Sequence, residues 1–145
     1  MRILIAEDDP ISRLFLEKTL EKLRYDVAPC KDGAEAWEAY VQNDYRIVIS
    51  DWMMPEMDGL ELCKRIRRYG RPDYCYFMML TAKTTKADFL EAMDAGADDY
   101  LTKPLDQDEI AVRLRLAERF LMLQRSNAIN QPRMFEVIRP KRSVL

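Results

Sequence analysis

Short unbroken apolar runs alternate along this chain with longer stretches whose apolar positions recur every three or four residues. Ile3-Leu4-Ile5-Ala6 is the first run; Ile47-Val48-Ile49 and residues 76–80 are others. Such runs predict strands buried on both faces. Weaker strands are predicted at 25–28 and 97–101. Residues 11–24 have helical periodicity, with Ile11, Leu14, Phe15, Leu20 and Leu23 apolar. Residues 34–41 predict a helix with Ala34, Trp37 and Val41 on one side. Asp58-Gly59 opens a helix over 60–69, stopped by Gly70 and Pro72. Residues 87–95 form another, closed by Gly96, a suitable residue just past a helix end. Asp106-Gln107-Asp108-Glu109 has the form of a capping box and opens the last helix.

Five strand–helix units in succession predict a doubly wound α/β fold, with a parallel sheet covered on both faces and right-handed crossovers. The residues at the strand ends then matter most. The first strand runs into Asp8-Asp9, the third ends in Asp51, the fourth in Thr81, and the fifth leads to Lys103. Ligands of such sheets bind beyond the C-terminal strand ends, where the strand order reverses. For the order 2-1-3-4-5 that point lies between strands one and three. It gathers Asp8, Asp9 and Asp51, with Thr81 and Lys103 alongside.

Clustered carboxylates repel and raise one another's pKa. A divalent cation removes the conflict, and all-oxygen ligands favour Mg²⁺, with Mn²⁺ as its substitute, over zinc. A carboxylate also serves as a nucleophile toward phosphorus. Mg²⁺, the Lys103 ammonium and the Thr81 hydroxyl would neutralise the transferring group. Glu7 is adjacent to the acid pair but is not expected to be a ligand, because strand alternation turns it away from one of its neighbours.

Composition narrows the choices. The 145 residues include no histidine, which excludes His-based nucleophile systems, His-ligated zinc or haem, and a phosphohistidine on these residues. Three cysteines without C-x-x-C spacing, Cys30, Cys63 and Cys75, point to buried reduced thiols and a cytoplasmic setting. No secretory signal and no membrane span are expected. A net charge of −2 argues against direct nucleic-acid binding. That balance is uneven, because residues 124–145 carry five basic side chains against one acid. This expected organisation is a domain over 1–123 followed by a basic extension or linker over 124–145.

Five segments carry a resemblance: A-E-D-D-P (6–10), I-V-I-S-D-W-M-M-P-E-M-D-G (47–59), M-L-T-A-K (79–83), A-G-A-D-D-Y-L-T-K-P (95–104) and the amphipathic helix that follows. In order and spacing they resemble the receiver domain of bacterial response regulators in two-component signalling, over residues 1–123. The resemblance implies the flavodoxin-like receiver fold and an Asp51 that accepts a phosphoryl group. It implies that Asp9 holds Mg²⁺ directly, Asp8 mainly through water, and that Asp51 and the Met53 backbone carbonyl complete the ligand set. Lys103 would hold a phosphoryl oxygen, and its bond to Pro104 is often cis in this family. Thr81 and Tyr100 would form a switch pair, and Met53 and Lys83 occupy the positions that tune phosphoryl lifetime. The donor would be a sensor histidine kinase or a histidine phosphotransfer domain. The domain would be no enzyme in the usual sense, though it assists its own phosphorylation and dephosphorylation.

Plainer roles exist for single residues. Asp9-Pro10 is also a good helix start, with Asp as N-cap and Pro at the first helical position. Among rival functions, an Asp-nucleophile phosphatase normally requires Asp-x-Asp, where Met53 stands here. An unphosphorylated interaction module would lack an acid, the Thr or the Lys. A flavodoxin-type cofactor carrier needs a Ser/Thr-rich phosphate loop where this chain has acids, and a GTPase needs a Gly-rich loop that is absent. In the last helix Ile110, Leu114, Ala117 and Leu121 suit the sheet. Val112, Leu116, Phe120 and Leu123 form a second apolar stripe, which predicts a homodimer or another contact through this helix.

Overall fold

The computed structural model describes residues 1–130, with side chains through residue 125. Five strands alternate with five helices: β1 (Arg2–Ala6), α1 (Pro10–Lys22), β2 (Asp26–Cys30), α2 (Gly33–Gln42), β3 (Ile47–Asp51), α3 (Gly59–Tyr69), β4 (Tyr76–Thr81), α4 (Lys86–Ala95), β5 (Asp99–Thr102) and α5 (Gln107–Asn130). All pairings are parallel and the order is β2-β1-β3-β4-β5. The expected doubly wound sheet is therefore present, with its reversal between β1 and β3. Pro29 lies in β2, an edge strand, where a missing N–H is tolerated.

Strand alternation sorts the core into two layers. Leu4, Val48, Phe77 and Met79 point to one face and pack with Ala36, Tyr40, Leu62, Cys63, Ile66 and Ala92 of α2, α3 and α4. Ile3, Ile5, Ile49, Met78 and Leu80 point to the other and pack under α1 and α5. Each fully buried Leu or Ile in either layer contributes roughly 1.5–3 kcal/mol from leaving water.

The helix caps are local and readable. Asp9, Asp32, Asp58 and Thr85 each accept a hydrogen bond from a backbone N–H three residues on. Asp106 accepts one from Glu109 N–H at 3.1 Å, the expected half of the capping box. Gly96 closes α4 with a φ of 108°, a left-handed conformation that favours glycine. Gly59 serves closeness instead. A Cβ there would collide with the Asp51 carbonyl, and its N–H donates to the Trp52 carbonyl at 2.8 Å. The start of α3 is thereby held against the end of β3.

Two faces differ from the pattern expected. In α1 the buried residues are Leu16, Thr19 and Leu20, while Ile11 is 81% exposed and Leu14 is also exposed. At 3.6 residues per turn, Ile11 and Leu14 lie about 140° and 160° around the helix from Leu16, off the core face. In α2 the sheet takes Ala36 and Tyr40, and Trp37, one residue on, turns to the side and meets Tyr69 of α3 edge-on at 5.4 Å. The α5 stripes do separate. Ile110, Leu114, Ala117 and Leu121 are buried, Phe120 packs on Tyr74 and Tyr76, and Val112, Leu116 and Leu123 are exposed. Helix α5 continues past residue 123 to Asn130; the remainder of the basic extension lies outside the described residues.

Candidate functional site

Ladder register decides which side chains reach the C-terminal edge. Ala6 pairs with Ser50, and Asp51 with Leu80, so the chain beyond β1 lies level with the end of β3. Beyond Ala6 the Glu7 N–H still donates to the Cys30 carbonyl at 3.1 Å. The Glu7 side chain is fully buried at the edge, and Asp51 is nearly so. Carboxylate oxygens of Glu7, Asp8 and Asp51 all lie within 4.8 Å of one another.

Lys103 bridges two of the three. Its Nζ donates to Glu7 Oε1 and to Asp51 Oδ2, both at 2.9 Å. Its backbone N–H donates to the Thr81 carbonyl at 2.9 Å, which fixes the chain just after β5. The Lys103–Pro104 peptide bond is cis. One cation therefore faces three carboxylates. Burial pushes the Glu7 carboxyl up to about 7; the Lys103 ammonium pulls it down, and the Asp51 charge adds to the rise. For Lys103, burial favours the neutral amine, but the bonds to Glu7 and Asp51 outweigh it and hold the pKa above the usual value.

Asp9 is elsewhere. Its Oδ2 accepts the Ser12 N–H at 2.8 Å as the N-cap of α1, and that backbone hydrogen bond holds its carboxyl below the usual range. Among the described residues it does not join the acidic trio, and Glu7 stands where Asp9 was expected. The physical reason is that strand alternation stops at Ala6, where β1 ends. Past that point the chain turns, and successive side chains need not oppose. The Asp-Pro signature at 9–10 was the signal that assigned Asp9 to the helix start.

The remaining expected residues are grouped around this cluster. Thr81 ends β4, is fully buried, and its Oγ1 accepts the Lys83 N–H at 2.9 Å. Tyr100 donates its hydroxyl to the Lys83 carbonyl at 2.8 Å. Its ring lies edge-on between Trp52, at 6.4 Å, and Phe89, at 5.4 Å. The Lys83 ammonium sits 4.7 Å above the Trp52 ring and 3.7 Å from Asp88. Met53 is exposed beside Asp51. All these groups connect through the short segment 81–83 and through Trp52.

The donor set fits a hard divalent ion: three carboxylates converge, with no thiol or imidazole among them. It also fits phosphoryl transfer, because Asp51 offers an oxygen beside an ammonium, and the strand next to it ends in a buried hydroxyl, Thr81.

Comparison with known proteins identifies the family. The sequence model of the response regulator receiver domain matches residues 3–115. Response regulator RppA of Synechocystis is 40% identical over 122 residues, which is 82% of this chain and 51% of that protein. The chemotaxis protein CheY1 of Helicobacter pylori is 35% identical over 118 residues, 80% of this chain and 95% of that one. The structure of the Francisella response regulator 1452 receiver domain superposes with a TM-score of 0.76 at 31% identity, covering 81% of this chain and 96% of that one. The chain spans about half the length of relatives such as RppA and the Mycobacterium tuberculosis transcriptional regulatory protein TcrA.

Proposed function

The chain belongs to the response regulator receiver domain family, and we propose that it works as a phosphoryl-accepting switch with Asp51 as the acceptor. The observation that carries this is the Lys103 bridge. A buried-edge carboxylate and a fixed ammonium, 2.9 Å apart, form the two halves of a phosphoryl site. Glu7, Asp8 and Asp51, with the Met53 backbone carbonyl, would hold Mg²⁺. Asp8 and Asp51 stay in the set inferred from sequence, and Glu7 takes the place expected of Asp9. When bound, the ion supplies the positive charge that lets these carboxylates and a phosphoryl group share one crevice.

In this reading an Asp51 carboxylate oxygen attacks phosphorus in line. The P–N bond to the imidazole of a donor histidine breaks, and the imidazole leaves with that electron pair. Hydrolysis later returns Asp51 and inorganic phosphate. Lys103 keeps one phosphoryl oxygen in place. The Thr81 hydroxyl, now an acceptor from Lys83 N–H, turns to donate to another. That move pulls on segment 81–83, to which Tyr100 is bonded, and so changes the surface around Tyr100, Phe89 and α4. Lys83 and Met53 border the site and would set phosphoryl lifetime.

In this reading the donor is a sensor histidine kinase or a histidine phosphotransfer domain, and these 145 residues hold no histidine that could serve instead. The role is a signalling switch in the cytoplasm that assists its own phosphorylation and dephosphorylation. Among the described residues no helix is long and apolar enough to cross a membrane. The exposed Val112, Leu116 and Leu123 of α5 support a homodimer through that helix. RpaA of Synechocystis, 38% identical over 130 residues, is a DNA-binding dual master transcriptional regulator, which supports control of transcription as the output of this switch.

Trp52 gives the test. Its fluorescence should change with Mg²⁺, and again with a small phosphodonor or beryllofluoride. Asp51→Asn, with Trp37 as constant background, should abolish the second change. Base-labile phosphate should form on the native protein only. Absence of both signals in the native protein would remove the proposal.

A further inference from the structure

Three contiguous residues, Glu7 to Asp9, fall between the end of β1 at Ala6 and the start of α1 at Pro10. Two of their side chains join the acidic trio, and the third caps the helix. The β1–β2 ladder reaches only the first residue of this turn, through the Glu7 N–H to the Cys30 carbonyl, yet beyond that bond the backbone must present two adjacent carboxylates in one direction. In a continuing strand those side chains would point to opposite faces.

The Arg13 side chain supplies the missing constraint. From the first turn of α1 its Nη1 donates to the Glu7 carbonyl at 2.8 Å and, at the longer distance of 3.4 Å, to the Asp8 carbonyl. Arg13 is itself placed by its own backbone, whose N–H donates to the Asp9 carbonyl at 2.9 Å. One guanidinium therefore reaches back over the turn and holds the main chain of both site acids. The Asp9 N–H closes the same turn from inside by donating to Glu7 Oε2 at 3.2 Å.

We infer that Arg13 is a positioning residue for the cation site: it holds the β1–α1 turn so that the Glu7 and Asp8 carboxylates converge on Asp51. The inference rests on the phosphoryl-switch reading above. It has an unusual sign. On charge alone, a cationic side chain near a cation site weakens binding, so its removal should tighten Mg²⁺. Held geometry predicts the opposite, because supporting contacts around metal ligands typically contribute 10- to 100-fold in affinity.

The experiment is a Mg²⁺ titration followed by Trp52 fluorescence, on native protein, Arg13→Met and Arg13→Lys. Met keeps the aliphatic stem and loses every donor; Lys keeps the charge and one reach. Thermal unfolding in chelator checks that each variant is folded at the titration temperature. Expected is a Mg²⁺ affinity weaker by about tenfold in Arg13→Met, with Arg13→Lys between it and the native protein. An Arg13→Met affinity equal to or tighter than native overturns the inference while leaving the switch reading intact. Native protein without any Mg²⁺ response overturns both. Were Arg13→Met unfolded, Arg13→Lys alone decides: native or tighter affinity overturns the inference, and weaker affinity in a folded protein supports it.

Discussion

Two clusters in this molecule pair a cation with carboxylates, one with Asp98 alone and the other with a trio, and they are built oppositely. Around Asp98 every group is matched. Its Oδ2 accepts from the Phe77 N–H and Arg67 Nη2, and Oδ1 accepts from the Tyr74 hydroxyl. The remaining Arg67 donors go to the Gly96 and Cys75 carbonyls, and its guanidinium lies 4.6 Å over the Tyr74 ring. Around Asp51 one ammonium faces three carboxylates, and Glu7 is pushed up to about 7 by its burial. A balanced network ties α3, β4 and the start of β5 together. An unbalanced one at a sheet edge stores a demand for a further cation, and it is there that the proposed chemistry lies.

That contrast is open to breaking, and the largest effect belongs to the balanced cluster. Arg67→Met leaves Asp98 half-buried without its cation and frees two carbonyls. Folding free energy should fall by about 3 kcal/mol in urea titrations, equally with and without Mg²⁺. A loss below about 1 kcal/mol would mean that the network is ornamental. Asp51→Asn should do the reverse, removing phosphoryl uptake while leaving chelator-treated protein as stable as before or more so.

Next is Lys103→Met. It strips the acidic trio of the cation that bridges it, so stability in chelator should drop by about 2 kcal/mol and recover when Mg²⁺ is added. Mg²⁺ affinity should rise, because a competing cation is gone, and phosphoryl uptake should fall. Recovery by Mg²⁺ separates this lesion from that of Arg67.

The pH profile is smaller and its sign is definite. The Glu7 carboxyl holds its proton more tightly folded, at about 7, than at its ordinary 4.5. Between those values the folded state binds more protons than the unfolded one, so stability in chelator should decline as pH rises through this window. Saturating Mg²⁺ should flatten or invert the decline, and Glu7→Gln should abolish it. A chelator profile that climbs from pH 4.5 to 7 and is unchanged by Glu7→Gln would sink this account.

The smallest change concerns the switch. Tyr100→Phe removes the bond to the Lys83 carbonyl and should cost about 1 kcal/mol or less. The beryllofluoride response of Trp52 should shrink in that variant, since the ring and the 81–83 segment would no longer be joined.

Much of this was legible along the chain because the signals were local. Apolar runs of strand length, acid caps and the glycine at 96 marked the ten elements, and the end residues Asp51, Thr81 and Lys103 marked the sheet edge that holds the candidate site. Five spaced segments identified the family. Two kinds of information were not local. The face of α1 that meets the sheet depends on how the helix rolls onto β1 and its neighbours, so Ile11 and Leu14 read as core and stand in solvent. The choice of Glu7 over Asp9 depends on where the β1–β2 ladder ends and how the chain then turns.

By itself the sequence determined the element order, the parallel sheet and the chemical types gathered at its edge, because periodicity and end residues are written in consecutive positions. Only the tertiary structure decided which acids share the crevice, that Lys103 bridges Glu7 to Asp51 across the sheet edge, and that Arg13 folds back over the turn. Those choices join residues far apart in the chain or set the direction of a turn, and no repeat of period two or 3.6 encodes either.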